Sequence, residues 1–263
     1  WRKSYLSALN HFFDEHPEYK VVHVHQDCLS SVILKAAVQH NIPVRIAHSH
    51  NASQDKDLKY PVKLWYKRFI PKYATELFAC GKNAGDWMFS GAPYQVINNA
   101  IDAAAYAYDP IKRQKIRRQL GFENEFTIGH VGRFNQPKNH PFLLNIFAAL
   151  LKKEPNAVLL LVGGGEDMPK IQAKAEALGI AEHVRFLGIR SDVAGLMQAM
   201  DVFVFPSLYE GLPVTMVEAQ AAGLPCIISD KAPPECILTE GLVAVLPLSA
   251  CLLYTSDAAD DRI

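Results

Sequence analysis

An open α/β architecture with two parallel sheets is the fold this sequence predicts. Short apolar runs alternate with helix-period stretches over most of the 263 residues, the pattern of consecutive βαβ units. Runs such as Val158-Leu-Leu-Leu-Val162 are apolar throughout, which suits strands covered on both faces. At roughly 150 residues per domain, the length accommodates two domains.

The first series has expected strands at 21–25, 42–47, 77–80 and 94–97, with helices starting near Leu29, Leu58 and Asn83. Asn98-Asn-Ala-Ile-Asp102 then leads to a Lys/Arg-rich helix expected over 112–119. The second series has expected strands at 126–131, 157–162, 184–187, 202–205 and 225–228. Its helices start near Pro141, Asp167, Asp192 and Val214. Charge follows the division: residues 1–125 hold 17 basic and 12 acidic side chains, and residues 126–263 hold 10 and 15. The expected domains are 1–110, including the linker, and 111–250. The first is expected to be incomplete at its start, since the chain begins at Trp1, and the second to lack its end. Residues 251–263 break the preceding pattern and look like translated adaptor sequence, so they are set aside.

Composition narrows the function. Hydrophobic residues make up 49% and charged residues 21%, a globular rather than disordered balance. A net charge of zero argues against a basic nucleic-acid binder. No apolar run reaches 18 residues, so no membrane-spanning helix is expected. Five cysteines without a CxxC pair suit a reducing cytoplasm better than a disulfide framework or a zinc site.

Ligands in open α/β sheets sit at the carboxyl ends of strands, so the loops there carry the chemistry. Gly132 follows an expected strand and permits close backbone approach, and Arg133 and Lys138 bring two cations to that end. Two cations suit a diphosphate, whose charge grows as it departs as a leaving group; two solvated loop cations are the bland reading. No GxGxxG run is present there, which argues against a dinucleotide cofactor. Gly163-Gly-Gly-Glu166, with Gly164 at its centre, could receive a phosphate or form a tight turn. The backbone at Leu187 could meet a nucleobase edge, with packing as its alternative. The richest stretch is Glu210-Gly-Leu-Pro-Val-Thr-Met-Val-Glu218. Pro213 suits a first helical turn, and amides at that helix start can face an anion. Glu218 sits among apolar helix neighbours and needs donors, which sugar hydroxyls could supply.

This stretch resembles the paired-glutamate signature of retaining glycosyltransferase family four, whose fold is GT-B, two Rossmann-like domains. Gly132-Arg133 and Lys138-Asn139 upstream strengthen the likeness, which covers residues 20–248. Ala47-His-Ser-His-Asn51 and Val96-Ile-Asn-Asn-Ala-Ile-Asp102 bring it nearest to members that build exopolysaccharides and capsules. The resemblance implies a hexose moved from a nucleotide donor, commonly UDP, to a growing polysaccharide or lipid-linked saccharide. It implies that Arg133 and Lys138 hold the diphosphate, Glu218 the ribose and Glu210 the transferred sugar. Gly211 and Leu212 would offer backbone amides, and His50, less surely His48, would face donor or acceptor. No metal and no separate cofactor are expected. A 2-epimerase or a non-catalytic nucleotide-sugar binder are the competing readings. The glycine-rich acceptor loop and the closing C-terminal helix of the family have no counterpart in this sequence.

Residues 56–73 hold six basic residues and one acid. On one continuous helix Leu58, Val62, Trp65, Phe69 and Tyr73 would share a face beside Lys56, Lys59, Lys63 and Lys67. Such a helix can lie on an anionic membrane at the cytoplasmic side, or pack its apolar stripe inward. Pro61 speaks against one straight helix.

Overall fold

The computed structural model describes residues 3–54 and 58–249. The set-aside segment 251–263 lies outside the described residues. The chain divides into two compact units, Trp1–Asn99 and the segment from Ala100 onward.

The first unit is a parallel sheet of β1 (Val21–Val24), β2 (Val44–Ser49), β3 (Glu76–Ala79) and β4 (Gln95–Val96), in that spatial order. The crossover from β1 to β2 runs through helix Ser30–Gln39, which buries Val32, Leu34, Ala36 and Ala37. Helix Lys3–Glu15, not foreseen from sequence, sets Phe13 against Ala36, Ala37 and Ile42. Helix Lys82–Phe89 buries Ala84, Met88 and Phe89.

The basic stretch is not one helix. Helix Tyr60–Lys67 carries Pro61 in its first turn, where proline is tolerated, and a separate turn, Ile70–Tyr73, follows with Pro71 in the same place. Lys56 lies outside the described residues. Ile70 is buried, whereas Val62 and Trp65 are more than half exposed, so the stripe is split between core and surface.

The second unit has six parallel strands: β5 (Thr127–Val131), β6 (Val158–Val162), β7 (Val184–Gly188), β8 (Val202–Phe205), β9 (Cys226–Ser229) and β10 (Val243–Leu246). Their spatial order is β10-β9-β8-β5-β6-β7. Counted within the unit this is the 3-2-1-4-5-6 order of a doubly wound Rossmann-like sheet. Every residue of β5 and β6 is buried, as continuous apolar runs require of central strands. The main core joins Leu143, Leu144 and Phe147 of helix His140–Leu150 to Leu159, Leu161, Ile171 and Val184.

The polar helix Pro110–Gln119 attaches through guanidinium groups rather than an apolar stripe. Arg117 is buried and donates to the carbonyls of Glu123 and Ala199, while Arg113 donates to the carbonyls of Gln198 and Met200 and pairs with Asp201. Residues 100–109 pack with this second unit. Gln198 Nε2 donates to Tyr106 O at 2.8 Å, and Asp109 N donates to Gln198 Oε1 at 2.9 Å.

Candidate active site

In this strand order the chain leaves β5 toward β6 on one side and returns to β8 on the other. The carboxyl ends of β5 and β8 therefore flank the switch point, the place where sheets of this kind take their ligands.

The loop after β5 is shaped by its neighbour. Gly132 N donates to Val162 O at 3.0 Å, and Phe134 N to Gly164 O at 3.0 Å. Gly163 and Gly165 have φ of +139° and +158°, and a methyl group at either would overlap a backbone carbonyl, of Gly132 and of Phe134 respectively. The glycine run thus lets two strand-end loops touch backbone to backbone. At Gly164 between them, a methyl group would meet the side chain of Ile189. Leu187 is half-buried on β7, and its neighbour Gly188 accepts from Gly163 N at 2.8 Å. Phe134 points into the core, and Arg133 is exposed, with no hydrogen bond or ion pair among the described residues.

A 3-10 turn, Gln136–Lys138, ends at Asn139 in the left-handed region, with φ 54°. Asparagine tolerates that conformation, and helix His140–Leu150 follows at once. Asn139 Nδ2 donates to Pro206 O at 3.1 Å, and Leu208 N donates to Pro137 O at 2.8 Å, so the loops after β5 and β8 are stitched together. Lys138 and Glu210 meet across that seam, with Nζ donating to Oε1 at 2.7 Å. Their side chains are only 18% and 12% exposed, and Lys138 Nζ lies 4.7 Å over the Phe205 ring. Gly211, Leu212 and Pro213 are buried and lead into helix Val214–Ala221, whose first turn has no side-chain cap.

Glu218 lies on that helix and is half-buried. Tyr106 Oη donates to Glu218 Oε1 at 2.6 Å. Burial, and then this bond to Glu218, raises the phenol above its ordinary value. Tyr106 was missed from sequence because 112 residues separate it from Glu218. The structure thus joins Lys138 to Glu210 directly and holds Glu218 from the linker. Among the described residues, Arg133 makes no ion pair with either glutamate.

Two histidines lie beneath the loop. His130 on β5 is buried, bonds Val204 O through Nδ1 at 2.9 Å and stacks near Phe205. His140 stacks on Phe134 at 4.2 Å. Burial is the main cause holding both below 6.5, His140 at about 4, with His140 and Lys138 respectively adding repulsion. Below pH 6.5 an unfolded chain takes up protons that the folded one refuses. Stability is therefore full above 6.5 and falls as pH drops toward 4, with His140 alone contributing on the order of 3 kcal/mol. Urea denaturation at pH 5 and pH 7 checks this; His140→Phe, which keeps the stacked ring without the titration, should flatten the slope.

In the first unit, His50 sits in a four-imidazole group. His25 Nδ1 and His50 Nε2 are 2.7 Å apart, and His23 Nε2 and His48 Nδ1 are 3.2 Å apart. Burial, and then neighbouring imidazoles, lower His23, His48 and His50 below 6.5, His48 to about 4. His23 and His25 were not singled out from sequence, although the HxH spacing at a strand end was visible. Cys28, Cys80, Cys226 and Cys236 are buried thiols in no disulfide; burial raises Cys28 and Cys236 to about 11 and Cys226 to about 12.

Residues 112–246 match the family model described as glycosyl transferases group 1. EpsF of Bacillus subtilis, a protein named as a glycosyltransferase, is 36% identical over 255 residues, covering 94% of this chain and 66% of its own length. An Escherichia coli UDP-Gal:alpha-D-GlcNAc-diphosphoundecaprenol alpha-1,3-galactosyltransferase is 28% identical over 84% of this chain and 60% of its own. The chain thus spans less than two thirds of these relatives. Among solved structures, Anabaena HepE in complex with UDP and glucose matches with a TM-score of 0.81 at 21% identity, over 97% of this chain and 72% of that one. Sucrose-phosphate synthase from Thermosynechococcus elongatus matches at 0.76 and 19%, over 98% and 71%. At those identities the structural likeness speaks to fold: α/β, with two parallel sheets.

Proposed function

Because this chain belongs to the group 1 glycosyl transferases, we propose that it carries the donor site of a retaining hexosyltransferase using a UDP-sugar. The observation that carries the reading is the Lys138–Glu210 pair, formed across the switch point between β5 and β8. A cation and a carboxylate already in contact offer one group for a diphosphate and one for a sugar hydroxyl. Donor binding exchanges their mutual ion pair for those two contacts. Arg133 supplies the second cation from an exposed, uncommitted position. Glu218, oriented by Tyr106, takes the ribose hydroxyls. Amides around Gly164, Gly211 and Leu212 approach phosphate and sugar, and the strand end at Leu187 lies toward the base.

The bond between the anomeric carbon and the diphosphate oxygen breaks with oxocarbenium-like character, and its electron pair leaves on the diphosphate. Arg133, Lys138 and the uncapped start of helix Val214–Ala221 stabilise that charge, a role that needs no metal. The acceptor hydroxyl attacks from the same face and passes its proton to an oxygen of the departing diphosphate as the new glycosidic bond forms. The acceptor is a growing polysaccharide or lipid-linked saccharide, a reading supported by the undecaprenol-linked substrate in the name of the E. coli relative. His50, in the first unit, is assigned to the acceptor. The cytoplasmic membrane face suits such an acceptor. Exposed Trp65 and Val62 beside Lys59, Lys63 and Lys67 offer a peripheral contact with anionic lipid. Among the described residues no helix is long and apolar enough to cross a membrane.

Calorimetry with UDP, and with UDP-glucose and UDP-galactose, tests the donor site. Saturable UDP binding is expected; heats no greater than those of dilution overturn the reading. Sugar transfer to an added acceptor separates an enzyme from a binder.

A further inference from the structure

Four histidines converge at the carboxyl ends of β1 and β2, and the transfer reaction above calls on only one of them. Strand geometry explains why they meet. Successive side chains alternate between faces, so His23 and His25 share a face, as do His48 and His50. In the parallel register His23 lies opposite Ile46, which puts both pairs on the same face of the sheet. Ring centroids are 4.2 Å apart for His23 and His25, 5.1 Å for His25 and His48, and 4.3 Å for His48 and His50. Phe78, opposite His48 on β3, walls the group with its ring edge-on at 6.0 Å.

We propose that this face is a binding site for one borderline divalent cation, Zn2+ in the first instance, held by His23, His25 and His48. One ring nitrogen from each of the three lies within 4.8 Å of the other two. His23 Nε2 and His48 Nδ1, at 3.2 Å, already stand close to the edge of a zinc tetrahedron, about 3.3 Å for bonds of 2.0–2.1 Å. An all-imidazole donor set selects zinc, nickel or copper over magnesium or calcium, which require oxygen. His50 acts as a positioning residue: its Nε2, 2.7 Å from His25 Nδ1, fixes the orientation and tautomer of the His25 ring. Three nitrogen ligands leave a fourth vertex for water or a ligand oxygen. The three ligands take no part in the diphosphate chemistry, and only His50 is shared with the reading above.

Its test needs no nucleotide sugar. The 263-residue chain, stripped with chelator, is titrated with Zn2+ by calorimetry, and its Co2+ complex is examined by visible absorption. One ion per chain and the intense d–d bands of a four-coordinate site are expected. His23 and His25 are exposed, so His23→Asn and His25→Asn should keep the fold, checked by circular dichroism, and each should weaken Zn2+ binding tenfold or more. His50→Gln should weaken it by about tenfold through the His25 ring. His11→Gln and His16→Gln, on or just after the first helix, should change nothing. Equal affinity in His25→Asn and the parent chain, or only six-coordinate Co2+ spectra, overturns the proposal and identifies the cluster as a hydrogen-bonded imidazole array.

Discussion

Arg133→Ala should weaken UDP binding by about 10- to 100-fold while leaving stability within roughly 0.5 kcal/mol of the parent. The two halves of that expectation have separate grounds. Arg133 is exposed and makes no hydrogen bond or ion pair among the described residues, so no folded-state interaction is lost with it. Its neighbour Phe134 anchors the loop in the core, and the amide contacts to β6 use backbone, so the loop keeps its shape. What disappears is a charge-assisted contact to a diphosphate. Because negative charge increases as the leaving group departs, turnover should fall further, by around 10²-fold or more. Arg133→Lys should recover only part of this, since an ammonium cannot make the bidentate contact of a guanidinium. Calorimetry and thermal melting on the same preparations read both halves. Unchanged UDP affinity would remove Arg133 from the donor site.

Lys138→Ala should behave differently, costing about 3 kcal/mol of stability as well as donor affinity. Removing the ammonium leaves the Glu210 carboxylate, 12% exposed, without its 2.7 Å partner. The remaining stitches, Asn139 to Pro206 O and Leu208 to Pro137 O, cannot neutralise it. The double substitution Lys138→Met with Glu210→Gln removes both charges at similar volume and should regain most of the stability. It should not regain UDP binding, because the cation is still missing. A double variant that recovers neither would mean that the pair's geometry, not its charge balance, supports the loop. Recovery of both would take Lys138 out of the donor site.

Much of the fold was readable along the chain. The uniformly apolar 158–162 run became β6, buried at every position, and Pro213 stands immediately before helix Val214–Ala221 as its type suggests. β10 escaped notice because it is an edge strand with partly exposed residues and no clean alternation. The basic stretch is interrupted, as Pro61 argued against one straight helix, but the break falls elsewhere: Pro61 sits in the first turn of helix Tyr60–Lys67, and the interruption precedes Ile70–Tyr73, whose first turn holds Pro71. At the site, the residue types at strand ends were legible, but their partners were not. Tyr106 lies in a stretch that sequence placed in a linker, and nothing local marks it as a donor to a helix 112 residues away. The glycine run was open to a phosphate-cradle reading; its observed constraint is a backbone contact with the Gly132–Phe134 loop.

The sequence by itself determined the alternation of strands and helices and the chemical character of each strand-end loop. Those properties arise from side-chain periodicity and from the conformational limits of glycine and proline, which act between near neighbours. Tertiary structure alone decided that β8 returns beside β5 rather than beyond β7. That placement sets Lys138 against Glu210 and gives Glu218 its phenol. Parallel pairing of β1 with β2 likewise gathered four separate imidazoles onto one face. Such encounters depend on which apolar faces bury each other most completely, a property of the whole packed sheet that no short window of residues contains.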